Sequence, residues 1–246
     1  MINYNFSQKT LHRVILSSNL IKRGMYEFEK IFFLEKNLIE DFNKHVFISG
    51  LPRSGTTFLL EQIYNSGDFG SLTYNDMPYV MSPNIFSKLN YKVNFEKKER
   101  FHKDGIFINL ESPEALDEIF FSTFNIDKIN EEIVNYIYLI LKKKNKKRYL
   151  SKNNLNYKRF ETIKKKLLNS IFLIPFRNPI QQSSSLLNQH INFLKIQNKN
   201  KFILEYMNFL NHREFGKNHL SWNKPIRFDD FLDLNYWLEQ WYLFYK

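Results

Sequence analysis

The sequence predicts an α/β fold, helix-rich, with a central parallel sheet flanked by helices. Three observations predict it. Two short apolar runs, His45 to Ser49 (HVFIS) and Ser170 to Pro175 (SIFLIP), contain β-branched residues and read as buried strands. Each is followed by a helical pattern. The order βα…αβαβα is that of parallel strands joined by crossover helices.

Composition bounds this reading. A chain of 246 residues can bury a sizeable core. Its 43% hydrophobic and 25% charged residues exclude a disordered chain. No apolar run reaches the ~18 residues of a membrane helix, so no membrane span is expected. The stretch Met1 to Thr10 lacks the basic-then-apolar order of a secretory signal, and the expected location is cytoplasmic. The absence of Cys excludes a disulfide scaffold, Cys-ligated zinc, an iron–sulfur cluster and a thiol nucleophile. The formal charge of +11 fits a polyanionic partner: nucleic acid, anionic lipid, or a phosphorylated or sulfated small molecule. It equally fits excess Lys on solvated faces.

The elements follow in order. Residues 11 to 40 read as one or two amphipathic helices, with Leu11, Val14 and Ile15, then Met25, Phe28, Ile31 and Phe32, at helical spacing. The strand at 45–49 precedes a helix over Thr56 to Asn65. Residues 68 to 110 are irregular, long for a connection, and read as functional or mobile. Ser112-Pro113-Glu114 reads as a helix start for a helix running to Phe124. A helix over Asn130 to Lys144 ends in the run Lys142 to Arg148, read as a solvated, dipole-complementing end, with nucleic-acid contact the lesser alternative. Tyr149 to Ser151 reads as a short strand and Tyr157 to Leu168 as a helix. After the 170–175 strand come helices over Ile180 to Ile196, Phe202 to Asn211, and Phe228 to Tyr245.

The most informative segment is Gly50-Leu51-Pro52-Arg53-Ser54-Gly55-Thr56-Thr57. It has the phosphate-loop spacing G-x-x-x-x-G-x-[ST] between a strand and a helix. Backbone N–H groups of such a loop, with the helix N-terminus, cradle an anion. Thr56 stands where a nucleoside-triphosphatase carries Lys, the cation moves forward to Arg53, and no strand ending in a magnesium-binding Asp follows. The loop suits one phosphate-like group and a neighbouring anion, without a magnesium triphosphate. The expected architecture is a P-loop-type three-layer fold.

Arg177-Asn178-Pro179 and Ser183-Ser184-Ser185 follow the second strand. Arg177 leaves the C-terminal end of a parallel strand, where open α/β sheets place ligands. Ser185 lies about two helical turns on. The pair suits a second phosphate; a salt-bridged Arg and a polar helix start is the other reading. Lys152, just after the 149–151 strand, would stand on the same sheet edge, or be an ordinary surface lysine.

These segments resemble the sulfotransferases. Leu51 to Leu59 looks like their 5′-phosphosulfate loop, and Phe176-Arg177-Asn178-Pro179 with Ser185 looks like their 3′-phosphate motif. Leu150 to Leu187 is similar to the tyrosylprotein and bacterial carbohydrate-type branch, and Lys152 matches its sulfonate-contacting Lys. The resemblance implies one sulfotransferase-like domain over 1–246, with 1–40 an N-terminal helical extension. It implies 3′-phosphoadenosine 5′-phosphosulfate (PAPS) as donor, a hydroxyl-bearing acceptor, no metal and no nucleic-acid partner. The Gly-rich Lys loop of cytosolic sulfotransferases is not found. The chain ends inside the helix Tyr236 to Tyr245, as in a truncated or short member.

The resemblance implies that Arg53 and Lys152 meet the charge that grows on the sulfonate and the leaving oxygen. Pro52, Arg53, Ser54, Gly55, Thr56 and Thr57 hold the 5′-phosphate, and Arg177 and Ser185 the 3′-phosphate. Asp76, 23 residues after Arg53, is near the tyrosylprotein branch's catalytic carboxylate, and His102 and Asp104 compete for the role of base. His190, His212 with Glu214, and His219 lack a helix-based metal spacing and read as structural. Two other functions stay open: a P-loop nucleotide kinase-like enzyme with a variant loop, and a non-catalytic nucleotide- or polyanion-binding protein. The acceptor is expected to be a sugar, lipid or small metabolite shaped to the 68–110 segment.

Overall fold

The central sheet has the strand order β2-β5-β1-β6 and is parallel throughout. The computed structural model describes residues 4–35, 43–87, 98–99 and 105–246. The chain forms two compact units, one of residues 1–49 and 57–173, the other of residues 50–56 and 174–246.

The first unit carries the whole sheet. Helices α1 (Phe6–Leu16) and α2 (Asn19–Phe33) precede β1 (Val46–Ile48). Then come α3 (Thr56–Tyr64), which begins on the last loop residue, β2 (Phe69–Gly70), and a two-stranded antiparallel ribbon of β3 (Lys98–Glu99) and β4 (Phe107–Ile108). After it follow α4 (Glu118–Thr123), α5 (Ile126–Lys144), β5 (Arg148–Lys152), α6 (Phe160–Lys166) and β6 (Ile171–Leu173). Strand register pairs Val46 with Leu150 and Ile171, and Ile48 with Lys152 and Leu173. Lys152 therefore ends its strand beside the end of β1.

Side chains alternate across the sheet, as the period of two requires. Val46, Ile48, Leu150 and Leu173 meet Leu60 and Ile63 of α3 on one face. Phe47 turns to the other face, stacking on Phe172 and edge-on to Tyr149, and Phe160 of α6 covers Phe172. Helices thus flank both faces. Each fully buried Leu or Ile contributes about 1.5–3 kcal/mol.

Several boundaries differ from those expected. The helix predicted from Ser112 begins only at Glu118. Pro113 forms a β-bridge with Thr73, and the Glu114 N–H donates to the Leu72 carbonyl. Ser112 closes a turn on Asn109 and caps no helix. Helix α5 starts earlier than expected because Asn125 caps it, and ends at Asn145 in the left-handed conformation (φ 50°). The α5 terminus is only partly solvated: Lys142, Lys146 and Lys147 are exposed, whereas Lys143 and Lys144 reach into the fold to Asp76. In α2 the packed side carries Lys22, Tyr26 and Glu29, while Phe28, Ile31 and Phe32 are exposed. Tyr26 donates to Glu132, and Glu29 accepts from Asn84 and Ile85, so hydrogen bonds select the packed side over hydrophobicity.

The second unit holds the 50–56 loop and α7 (Pro179–Lys199), α8 (Lys201–Phe209) and α9 (Leu234–Tyr245). Asn178 caps α7 with Pro179 in its first turn. The predicted 228–245 helix starts at Leu234 because Glu239 accepts the N–H groups of Ile226, Arg227 and Phe228 and pins that stretch as a loop.

Candidate active site

The loop after β1 has three left-handed residues: Gly50 (φ 136°), Arg53 (φ 69°) and Gly55 (φ 96°). Glycine adopts this region without cost, whereas for Arg it is uncommon. Alternation of this kind is the backbone pattern that can turn successive N–H groups to one side, as anion-binding nests require. The N–H groups in the first turn of α3, which opens at Thr56, have no intrahelical partner and add a positive dipole end. Ser54 Oγ donates to the Leu51 carbonyl at 2.8 Å and closes the loop on itself. Pro52, Thr56 and Thr57 are buried and Gly55 is exposed.

Arg53 is held by the segment expected to bind the second phosphate. Its Nε donates to Ser185 Oγ at 2.9 Å, and Arg177 Nη1 donates to the Arg53 carbonyl at 3.3 Å. Arg53, Arg177 and Ser185 thus converge within the second unit. Arg177 is exposed, and Arg53 and Ser185 are half-buried.

Sequence reasoning missed the residue that supports this loop. Gln182, fully buried on α7, donates from Nε2 to the Pro52 carbonyl at 3.0 Å and the Leu51 carbonyl at 3.4 Å. Its Oε1 accepts from Trp241 Nε1 of α9 at 3.1 Å. Tyr245 donates to the Pro175 carbonyl at 2.8 Å, and Phe176 packs against both aromatics. The aromatic helix therefore buttresses the loop. The polar run Gln181 to Ser185 concealed this, because nothing in it marks which amide turns inward.

Lys152 lies within the first unit. Its ammonium stands 3.9 Å from Glu114 Oε1, and both side chains are largely buried. Glu114 Oε1 also accepts the Ala115 N–H at 2.9 Å, and Oε2 accepts the Tyr74 hydroxyl at 2.7 Å. Behind Lys152, the neighbouring strand residue Ser151 donates to Asp117, as do Tyr149 and Asn153. Burial raises the Asp117 pKa, the Ser151 hydrogen bond opposing it.

Asp76, expected as a base, is paired with two lysines. It is 1% exposed. One oxygen lies 2.5 Å from Lys143, and the other lies 2.8 Å from Lys144 and accepts the Thr73 N–H at 2.7 Å. Burial alone would raise its pKa, but Lys144 and Lys143 outweigh that and hold it below the ordinary value. The carboxylate serves as the anchor between the Tyr74–Asp76 turn and the end of α5. His102 and Asp104 lie outside the described residues. His190 and His219 are buried among Trp222, Phe231 and Trp237, with a His219 Nε2 to Tyr236 Oη distance of 2.7 Å.

No helix among the described residues is long and apolar enough to cross a membrane. Comparison with curated protein sequences found no match. Among solved structures, the chain is similar to the crystal structure of sulfotransferase STF9 from Mycobacterium avium, at 11% identity and a TM-score of 0.46, over 87% of this chain and 68% of that one. The model of the Sulfotransferase family matches residues 45–237. That stretch runs from β1 into α9 and contains the 50–57 loop, Lys152, Arg177 and Ser185. Most of the sequence is thereby accounted for by one family, and the chain belongs to the sulfotransferases, transferases of the sulfonate group.

Proposed function

We propose that the protein transfers the sulfonate of PAPS to a hydroxyl of a carbohydrate, lipid or small metabolite. The observation that carries this reading is the convergence of Arg53, Arg177 and Ser185 in one unit. The two segments expected to hold a 5′-phosphosulfate and a 3′-phosphate are hydrogen-bonded to each other there.

When bound, PAPS supplies an activated sulfonate, already joined to a good leaving group. The chain's task is to bind, orient and neutralise. N–H groups of the loop and of the first turn of α3 hold the 5′-phosphate, and Arg177 and Ser185 hold the 3′-phosphate. Arg53 serves the bridging oxygen, where charge develops, and Lys152 serves the sulfonate. These cations supply the charge that a magnesium ion supplies to a triphosphate, so the reaction requires no metal.

The test is calorimetric titration with adenosine 3′,5′-bisphosphate and with ATP, each with and without magnesium. The proposal expects tight, magnesium-independent binding of the bisphosphate and much weaker binding of ATP. Magnesium-dependent preference for ATP would instead indicate a kinase-like enzyme.

A further inference from the structure

Sulfonate transfer to a hydroxyl requires a group that accepts the hydroxyl proton. Several carboxylates of the first unit near β5 or the Tyr74 turn are committed to the fold. Asp76 is enclosed between Lys143 and Lys144. Asp117 is buried under three donors from β5 and the residue after it. Glu118 is 2% exposed, forms two contacts with Arg159 and accepts from Asn153.

Glu114 differs from these in placement and in company. Its side chain retains 12% exposure, and it faces Lys152, whose side chain retains 10%. Its loop is fixed at three points: the Thr73–Pro113 bridge, the Glu114 N–H to Leu72 carbonyl bond, and the Ser112–Asn109 turn. The carboxylate itself is oriented by the Tyr74 hydroxyl on one oxygen and the Ala115 N–H on the other. At 3.9 Å the Lys152–Glu114 pair is within ion-pair distance, yet too long for a direct hydrogen bond. A fixed, partly exposed carboxylate beside the lysine proposed to meet the sulfonate is placed to reach the proton of an acceptor hydroxyl.

We infer that Glu114 is the proton acceptor of the reaction, with Tyr74 as its positioning residue. The inference rests on the role proposed above for Lys152. The acceptor O–H proton passes to a Glu114 carboxylate oxygen while the acceptor oxygen forms its bond to sulfur. The bond from sulfur to the bridging oxygen of the 5′-phosphate breaks, and its electron pair stays on the departing adenosine 3′,5′-bisphosphate. Lys152 remains protonated throughout. The neutral Glu114 then returns its proton to solvent.

The test uses PAPS with water as the sulfonate acceptor, so that no acceptor need be known, and follows release of the bisphosphate. Glu114→Gln keeps the shape and removes the basicity. It is expected to slow release about a hundredfold or more, while calorimetric affinity for the bisphosphate stays within about twofold. Glu114→Asp should recover part of the rate. Tyr74→Phe removes a donor to the charged carboxylate, which raises its pKa, so the acid limb of the rate profile should move to higher pH. Release by Glu114→Gln within about threefold of the unaltered protein would overturn the inference. So would an unaltered protein that binds the bisphosphate but never releases it from PAPS. Failure of the unaltered protein to bind the bisphosphate at all would instead overturn the donor reading, an outcome in which Glu114 has no part.

Discussion

Arg53 and Ser185 are 132 residues apart in the chain, and the guanidinium Nε lies 2.9 Å from the hydroxyl. The bond ties the 50–56 loop to the second turn of α7 and helps hold Arg53 in its left-handed conformation. Ser185→Ala should therefore lose both a 3′-phosphate contact and the restraint on Arg53. A hydrogen bond to a charged group contributes about 1.5–3 kcal/mol. Calorimetry should show bisphosphate affinity falling about tenfold or more, with the melting temperature lower by a few degrees from the lost Arg53 bond.

Gln182 should matter to the same loop without touching the nucleotide. Gln182→Leu strands the Pro52 carbonyl and the Trp241 N–H, while the Leu51 carbonyl keeps the Ser54 hydroxyl; each buried orphan costs about 1–3 kcal/mol. The expected result is a raised KM for PAPS with a smaller change in kcat, together with a lower melting temperature. Trp241→Phe, which removes the N–H together with part of the ring that packs on Phe176 and Tyr245, should show the same pattern.

Asp76→Asn should destabilise the fold. Removing one partner of a buried ion pair typically costs about 3–5 kcal/mol, because the other charge is left uncompensated; here two ammonium groups are left. Thermal unfolding should shift down by several degrees or more. The folded-state pKa of Asp76 is depressed, so its stabilisation is present above the unfolded carboxylate value of 3.8 and is lost as pH falls through the lower folded value. The variant's deficit relative to the unaltered protein should accordingly shrink only in strong acid.

These residues show how far the sequence was legible. Strand runs 45–49 and 170–175, the loop spacing and the Arg177–Ser185 interval are local patterns, and local patterns survive folding. Glu114 was misread because Ser-Pro-Glu is a good helix start in isolation; the bridge from Pro113 to Thr73 is a tertiary contact that no local rule contains. Lys143 and Lys144 looked like solvated charges because their counterion is 67 or more residues away. The apolar stripe of α2 misled in the opposite sense, since polar Glu29 and Lys22 are buried while Phe28 and Ile31 are exposed.

His219 should make the fold acid-sensitive well above the carboxylate range. Burial, helped by the neighbouring His190, lowers its pKa from 6.5 to about 4. The unfolded chain takes up a proton near 6.5 and the folded chain resists until about 4, so stability falls as pH drops across that window. Urea unfolding measured from pH 7 to pH 4 should show this decline, and His219→Asn should flatten it from a lower starting stability. A variant as acid-sensitive as the unaltered protein would assign the decline to other groups.

The proposed donor carries phosphates at both the 5′ and 3′ positions, and Arg177 is proposed to read the second of them. The most direct measurement is calorimetric titration of the unaltered protein and Arg177→Ala with adenosine 3′,5′-bisphosphate and with adenosine 5′-monophosphate. The account predicts that the unaltered protein prefers the bisphosphate by about tenfold or more. Arg177→Ala should abolish that preference by weakening the bisphosphate while leaving the monophosphate nearly unchanged. Equal losses for both ligands, or no preference in the unaltered protein, would contradict it.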